Sequence, residues 1–254
     1  MRIRLLPEDP DVARALRAMG HQVDRERPDL VLALGTLRED LSGLPSVLWA
    51  WNDPWGFEPH PKVRRIFSAD PNAAARYAPP AEVLAPGFDD LEPLPGRKEE
   101  AWDLCLAGDP HPRRLLVLQA LKDLMPGLSI LGPGAPEADW PSARVVLVVQ
   151  RDAMEGNPRR IPPRTADREL YEAAGMGCCV VTDRSRPGAF EAYAEGKEIL
   201  SYESIRSLPG LLSPLLADAS RRLALGSAAR ARTLAEHALR RRLAHLLDRC
   251  GTGA

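Results

Sequence analysis

The chain has 254 residues, 44% of them hydrophobic, and a formal net charge of -1. That length supports one large core or two modest ones, and the near-neutral balance supplies no general attraction for nucleic acid or anionic lipid. No stretch of about 18 apolar residues and no charged-then-apolar leader is present, which predicts a cytoplasmic protein with neither a transmembrane segment nor a secretory signal.

Arg2 to Leu6 reads as a first strand. The helix after it is capped by Asp9 or Asp11, carries Val12, Leu16 and Met19 at helical spacing, and stops at Gly20. Leu30 to Leu34 and Ser46 to Trp51 are apolar runs bounded by Pro, Gly and Asp, the pattern of buried parallel strands. Val63 to Phe67 and Val83 to Leu84 are shorter strand candidates, with a helix at Pro71 to Tyr77 between them. Together they predict a small βα lobe over residues 1–92. The polar, proline-bearing segment that follows (EPLPGRKEE) has no periodicity and predicts a linker over 93–102.

A second lobe is expected over 103–216. Asp103 to Ala107 reads as a strand, Gly108 to Pro112 as a turn, and Arg113 to Leu124 as a helix with Leu116, Ala120 and Leu124 on one side. Leu128 to Leu131 and Val145 to Val149 supply further strands. Thr165 can cap the next helix with Asp167 in its first turn, and Gly175 and Gly177 end it. Cys178 to Thr182 is too short for a helix and reads as a strand covered on both faces, before a new helix start at Ser185, Pro187 and Gly188. From Ser204 the pattern is helical, and residues 217–254 are expected to pack back across the lobes. Four cysteines, Cys105, Cys178, Cys179 and Cys250, lack any C-x-x-C spacing, which argues against structural zinc and a disulfide framework. The alternating elements predict an α/β fold of two Rossmann-like lobes, with a single α/β domain as the alternative, and a ligand site at the carboxyl edge of a parallel sheet.

Glu172 to Asp183 (EAAGMGCCVVTD), followed by Arg186, Pro187 and Gly188 and then by Glu195 to Ile199 (EGKEI) and Tyr202, resembles the donor-site core of the CgeB-like glycosyltransferases, named for a spore-maturation protein. Cys105 to Arg114 (CLAGDPHPRR) is similar to their glycine-and-arginine loop, Leu131 to Gly134 (LGPG) to the next strand end, and Gly226 with His237 and Arg242 to their closing helices. The resemblance covers residues 103–248 and touches the first lobe only through strand order and Trp49 with Asp53. It implies the GT-B architecture, two Rossmann-like lobes facing a cleft. A nucleotide-diphosphate sugar is then held mainly by the second lobe and transferred to an acceptor with no metal or other cofactor.

In that reading Glu172 accepts hydrogen bonds from ribose hydroxyls, though a glutamate near a helix start is also stabilised by the helix dipole alone. Gly108 lets the backbone approach a diphosphate, and Arg113 and Arg114 open a helix whose amides and guanidinium groups suit phosphate oxygens. Gly188 and Ala189 offer amides to the same group, and Arg151 is either a donor contact or a rim arginine. Gly132 and Gly134 lie near the nucleobase or form an ordinary Pro-Gly turn. For inverting transfer the candidate bases are Asp53 and His60, within the run WAWNDPWGFEPH. Trp49, Trp51 and Trp55 stack on a sugar or, for the first two, join the core.

Two departures bear on activity. Related retaining enzymes place a glutamate eight residues before the one at Glu172, where this chain has Arg164, and their arginine three residues before it is here Glu169. A degenerate module that binds a nucleotide or a partner without turnover is therefore the second reading. No G-x-G-x-x-G follows the first strand, and no P-loop or Ser-centred elbow is present, which removes the main support for dinucleotide oxidoreductase, ATPase and α/β-hydrolase functions.

Overall fold

A computed structural model describes residues 1–37, 39–41, 43–58, 61–91 and 99–251. The strands are β1 (Arg2–Leu6), β2 (Gln22–Val23), β3 (Leu30–Leu34), β4 (Ser46–Ala50), β5 (Arg65–Ser68), β6 (Glu82–Val83), β7 (Trp102–Leu106), β8 (Ile130–Leu131), β9 (Ala143–Val148), β10 (Val180–Asp183) and β11 (Leu200–Tyr202). The helices are α1 (Pro10–Ala18), α2 (Pro71–Ala74), α3 (Pro112–Leu124), α4 (Arg168–Gly175), α5 (Pro187–Ala192), α6 (Leu208–Ala217), α7 (Ala219–Glu236) and α8 (Leu239–Arg249). They divide into two compact units: Met1–Leu91 with Ala153–Thr165 and His237–Ala254, and Glu92–Asp152 with Ala166–Glu236. Residues 93–98 of the expected linker lie outside the described residues, and Trp102 already opens β7.

The first unit holds a fully parallel sheet in the order β2-β1-β3-β4-β5-β6. β3 and β4 are buried along their whole length, which is why they read as continuous apolar runs instead of alternating ones. Asp9 caps α1 by accepting from the amides of Asp11 and Val12. Val12, Leu16, Leu239, Leu243 and Leu246 pack with Ile3, Leu32 and Trp49 in one core. Helix α8 joins that core because Phe88 pairs with the chain just before it: the Phe88 amide donates to the His237 carbonyl at 2.9 Å and the Leu239 amide to the Phe88 carbonyl at 2.7 Å. The loop Ala153–Thr165 belongs here as well. The Asp70 carboxyl accepts from the amides of Arg164 and Thr165 at 2.6 and 2.9 Å, and Asn72 Nδ2 donates to the Pro162 carbonyl at 2.8 Å.

The second unit has a parallel sheet in the order β11-β10-β9-β7-β8. Two helices differ from expectation. On α3 the buried positions are Arg114, Val117 and Leu121, while Leu116 and Leu124 are 67% and 44% exposed. Both stripes carry leucine, so apolar spacing does not distinguish them; the inward one is set by Arg114 reaching polar partners at the sheet edge. On α4 the cap position falls to Asp167, because the Thr165 hydroxyl donates instead to the Ala69 carbonyl at 2.7 Å. Gly177 closes α4 with φ +78°, and α7 crosses the turn so closely at Gly226 that a side chain there would strike the Gly177 carbonyl. Cys105, Cys178 and Cys179 are buried free thiols. Among the described residues no helix is long and apolar enough to cross a membrane.

Candidate functional site

Strand order reverses between β7 and β9 in the second unit, and the loops leaving such a switch point are where open parallel sheets bind ligands. β7 runs on into Gly108, β9 into Gln150 and Arg151, and α3 begins between them with Pro112 at its first turn. Arg114 bridges the two loops. Its Nε donates to the Val149 carbonyl at 3.1 Å, Nη1 to the Asp109 carbonyl at 3.0 Å and Nη2 to Glu169 Oε1 at 2.7 Å, with the side chain 2% exposed. Gly108, at φ +85°, has its open face against that ion pair, and a methyl there would collide with Arg114 Nη1 and Glu169 Oε1. So the glycine is required by the arginine beneath it, and Arg114 shapes the loop with its guanidinium already committed.

Arg113 reaches the same edge from above. It donates to the Gln150 carbonyl at 3.0 Å and Ser185 Oγ at 3.2 Å and pairs with Asp183 Oδ1 at 3.2 Å, keeping 32% of its side chain exposed. Asp183, at the end of β10, also accepts from the amides of Gln150 and Ser185, both at 2.9 Å. Gln150 is buried; its Nε2 donates to Thr182 Oγ1 at 2.9 Å and its Oε1 accepts from the Asp167 amide at 2.8 Å. Asp167 in turn takes the Arg151 amide at 2.5 Å, and burial pushes its carboxyl up to about 6. The Arg151 side chain is exposed, and its carbonyl accepts from Arg186 Nη2.

Glu172 lies in the second turn of α4, only 5% exposed, paired with Arg168 one turn earlier. Burial pushes its carboxyl up to about 8 against the opposing pull of Arg168, with Glu137 and Glu169 adding to the rise. Gly134, at φ +89°, donates its amide to the Gly108 carbonyl at 2.8 Å, which joins the β8 loop to the β7 loop; Gly132 faces Leu118. Helix α5 opens at Pro187 and Gly188, but the Ala189 amide already donates to the Arg186 carbonyl at 3.1 Å.

His111 was not singled out by the sequence, although its place before Pro112 is that of a helix cap. Its Nδ1 accepts from the Arg114 amide at 3.4 Å, so the ring proton sits on Nε2, a buried donor with no hydrogen-bond partner among the described residues. Burial, with Arg114 and Arg151 nearby, pushes the ring down to about 4 and keeps it neutral.

In the first unit, Asp53 is 4% exposed beyond the end of β4. Its Oδ2 accepts from Ser68 Oγ at 2.6 Å and Tyr77 OH at 3.0 Å, while Oδ1 is buried without a partner among the described residues. His60, the other candidate base, lies outside the described residues. Trp49 is a core side chain, fully buried with Nε1 donating to the Leu84 carbonyl at 2.9 Å, and Trp51 packs beside it. The carboxyl group of Asp70 caps α2 through the amides of Asn72 and Ala73 while it holds the loop before α4. Among the described residues no group of three or more His, Cys, Asp or Glu is placed to hold a metal ion.

A family model described as "Glycosyl transferase-like" matches residues 113–248. No curated protein matches the sequence. Similar solved structures include Alr3699/HepE of Anabaena in complex with UDP-glucose, with a TM-score of 0.61 at 12% identity over 100% of both chains. AviGT4, a glycosyltransferase involved in avilamycin A biosynthesis, has a TM-score of 0.63 at 13% identity, covering 99% of this chain and 97% of that one. A glycosyltransferase from Rickettsia africae ESF-5 has a TM-score of 0.61 at 9% identity, covering 98% and 97%. At these identities the likeness is one of fold, two parallel-sheet Rossmann-like lobes of the GT-B kind.

Proposed function

The chain belongs to the glycosyl transferase-like family, and on that premise we propose that it moves a sugar from a nucleoside-diphosphate donor to an acceptor hydroxyl, as a cytoplasmic member of the CgeB-like branch. The observation that carries the reading is the joining of three loops at the switch point of the second sheet. Gly134 bonds to Gly108, Arg114 ties Asp109 to Val149, and Arg113 ties Gln150 to Asp183. Such an edge suits a diphosphate: the Arg113 amide in the first turn of α3, the exposed part of Arg113 and the Arg151 side chain offset the charge that grows on the leaving group, and no metal step is required.

Glu172 takes the ribose in this scheme. Two hydroxyl donors stabilise its ionised form, so nucleoside binding lowers a carboxyl that burial has raised. Gly132 and Gly134 border the base, and the Gly188 and Ala189 turn contributes shape more than amides, since the Ala189 N–H is engaged. Asp53 on the first unit is the candidate base, with His60 as the other. UDP is the first nucleotide to test, because HepE was solved with UDP-glucose. Calorimetric titration of UDP, GDP and ADP is expected to show one preferred nucleotide, bound at least tenfold more weakly by Glu172→Ala. Equal affinity in the mutant removes the ribose assignment.

A second reading, binding without turnover, is favoured by Arg164, which stands where related retaining enzymes carry a glutamate and whose amide is held by Asp70. Release of nucleotide across a panel of nucleotide sugars distinguishes the two, since a binding module shows ligand-induced stabilisation alone.

A further inference from the structure

We propose that Asp167 and Arg186 are positioning residues for Arg151: they hold its amide and its carbonyl, so that its exposed side chain is presented to the diphosphate of a nucleotide donor. The inference rests on the glycosyltransferase reading and deepens it by naming what places one of the phosphate contacts. Every residue it uses belongs to the second unit.

The ladder between β9 and β10 ends where Val148 faces Thr182. Beyond that point the chain is held by side chains, one backbone group at a time. Three consecutive carbonyls each accept from a different guanidinium group: Val149 from Arg114 Nε at 3.1 Å, Gln150 from Arg113 Nη1 at 3.0 Å, and Arg151 from Arg186 Nη2. Two consecutive amides each donate to a different aspartate, Gln150 to Asp183 Oδ2 at 2.9 Å and Arg151 to Asp167 Oδ2 at 2.5 Å. A loop leaving a sheet edge is ordinarily among the more mobile parts of a fold. This one is fixed by partners between 16 and 37 positions away in the sequence.

Arg151 is the residue on which the arrangement ends. Once its amide and its carbonyl are both held, the direction of its Cα–Cβ bond follows from covalent geometry. The two groups that hold it lie inside the protein: Arg186 is 1% exposed and the Asp167 side chain 9%. Their charges are opposite, with Arg114 and Glu169 as the other charged neighbours of Asp167, so neither is buried without compensation. The guanidinium groups divide by task. Arg113 and Arg114 face Asp183 and Glu169, and Arg186 is turned inward onto a backbone carbonyl. Arg151 instead has an exposed side chain on a backbone that was ordered during folding. An anion that binds it therefore need not supply the free energy of ordering that segment.

The test is a double-mutant cycle read by calorimetry, with UDP, GDP and ADP titrated into the wild type and each variant. Arg151→Ala is expected to weaken the preferred nucleotide about tenfold, as the loss of one charge-assisted contact does. Arg186→Met removes the donor to the Arg151 carbonyl and is expected to weaken binding about fivefold. In the Arg151→Ala background the same change costs less than about twofold, because a residue that acts through Arg151 then has nothing to act on. Asp167→Ala behaves as Arg186→Met does, whereas Asp167→Asn keeps an oxygen for the Arg151 amide and stays within about twofold of the wild type. Exchange of the Arg151 amide, followed by NMR, quickens roughly tenfold in Arg186→Met and Asp167→Ala.

A merely structural role lowers affinity equally with and without the Arg151 side chain, which overturns the proposal, as does unchanged amide exchange. If Arg186→Met does not fold, Asp167→Ala and Asp167→Asn carry the cycle. Should the wild type bind nucleotide and Arg151→Ala bind it equally well, the positioning role fails and the donor reading stands. If the wild type binds none of the three nucleotides, the donor reading fails and takes the positioning role with it.

Discussion

Replacing Gly108 by alanine tests the switch-point edge most directly, because two separate costs meet at one methyl group. The backbone at φ +85° is one that a side chain disfavours by roughly 1–2 kcal/mol. The new Cβ also occupies the space of Arg114 Nη1 and Glu169 Oε1, so the pair must separate. Breaking a buried pair outright costs about 3–5 kcal/mol when one charge is left alone. Arg114 keeps its Nε bond to the Val149 carbonyl, so the second cost is smaller, about 2 kcal/mol. The sum, roughly 3–4 kcal/mol, is read as a lowered urea midpoint at unchanged slope. Glu169→Gln in the same background is expected to relieve little, because the obstruction is steric. A loss of only about 1–2 kcal/mol, the backbone cost alone, would refute the argument that Arg114 lies against this glycine.

Glu172 makes stability depend on pH in a defined direction. Its folded carboxyl is raised to about 8 from 4.5, so the folded state binds more protons than the unfolded state between those values. The contribution is present below about pH 4.5 and is lost as pH rises through 8; Glu172→Gln is expected to flatten the decline in thermal midpoint between pH 6 and 8, and an unchanged decline would remove burial as the cause. His111 joins a cap to a neutral donor. His111→Ala should lose about 1 kcal/mol of stability through the α3 cap, whereas His111→Asn restores the cap without returning an N–H at the Nε2 position. UDP affinity that stays low in the asparagine variant, measured by calorimetry, assigns that N–H to the diphosphate, and full recovery assigns His111 to capping only.

The parallel-strand skeleton was legible because β3, β4, β9 and β10 are buried along most or all of their length and so appear as apolar runs. The two-residue strands β2, β6 and β8 carry too little pattern to delimit, and β11 lacks an apolar run of its own, since Ser201 interrupts it. Glu172, Gly108 and the two arginines are candidates by local pattern. What they bond to was not legible, because Arg114 meets Glu169 across 55 positions and Arg113 meets Ser185 across 72. Asp53 illustrates the same limit. Its residue type made it a candidate base, but the groups its carboxyl accepts from, Ser68 Oγ and Tyr77 OH, come from other elements of the fold.

These long-range partners change how the second unit must handle an anion. An arginine at a helix start looks like a phosphate ligand when its sequence neighbours alone are considered. Here the helix start supplies no first-turn acid and its dipole disfavours a cation, so the two guanidinium groups need carboxylates of their own, Glu169 for Arg114 and Asp183 for Arg113. Each pair is close to neutral and acts chiefly by tying strands at the point where their order reverses. In the proposed donor site the contacts left for a diphosphate are the exposed part of Arg113, the Arg113 amide, the neutral His111 donor and the exposed Arg151 side chain. Neutral donors attract an anion less over long distance than free cations do, but they need little reorganisation as charge builds on the leaving oxygen. A site made this way discriminates by geometry more than by net charge, in keeping with a chain whose overall balance is -1.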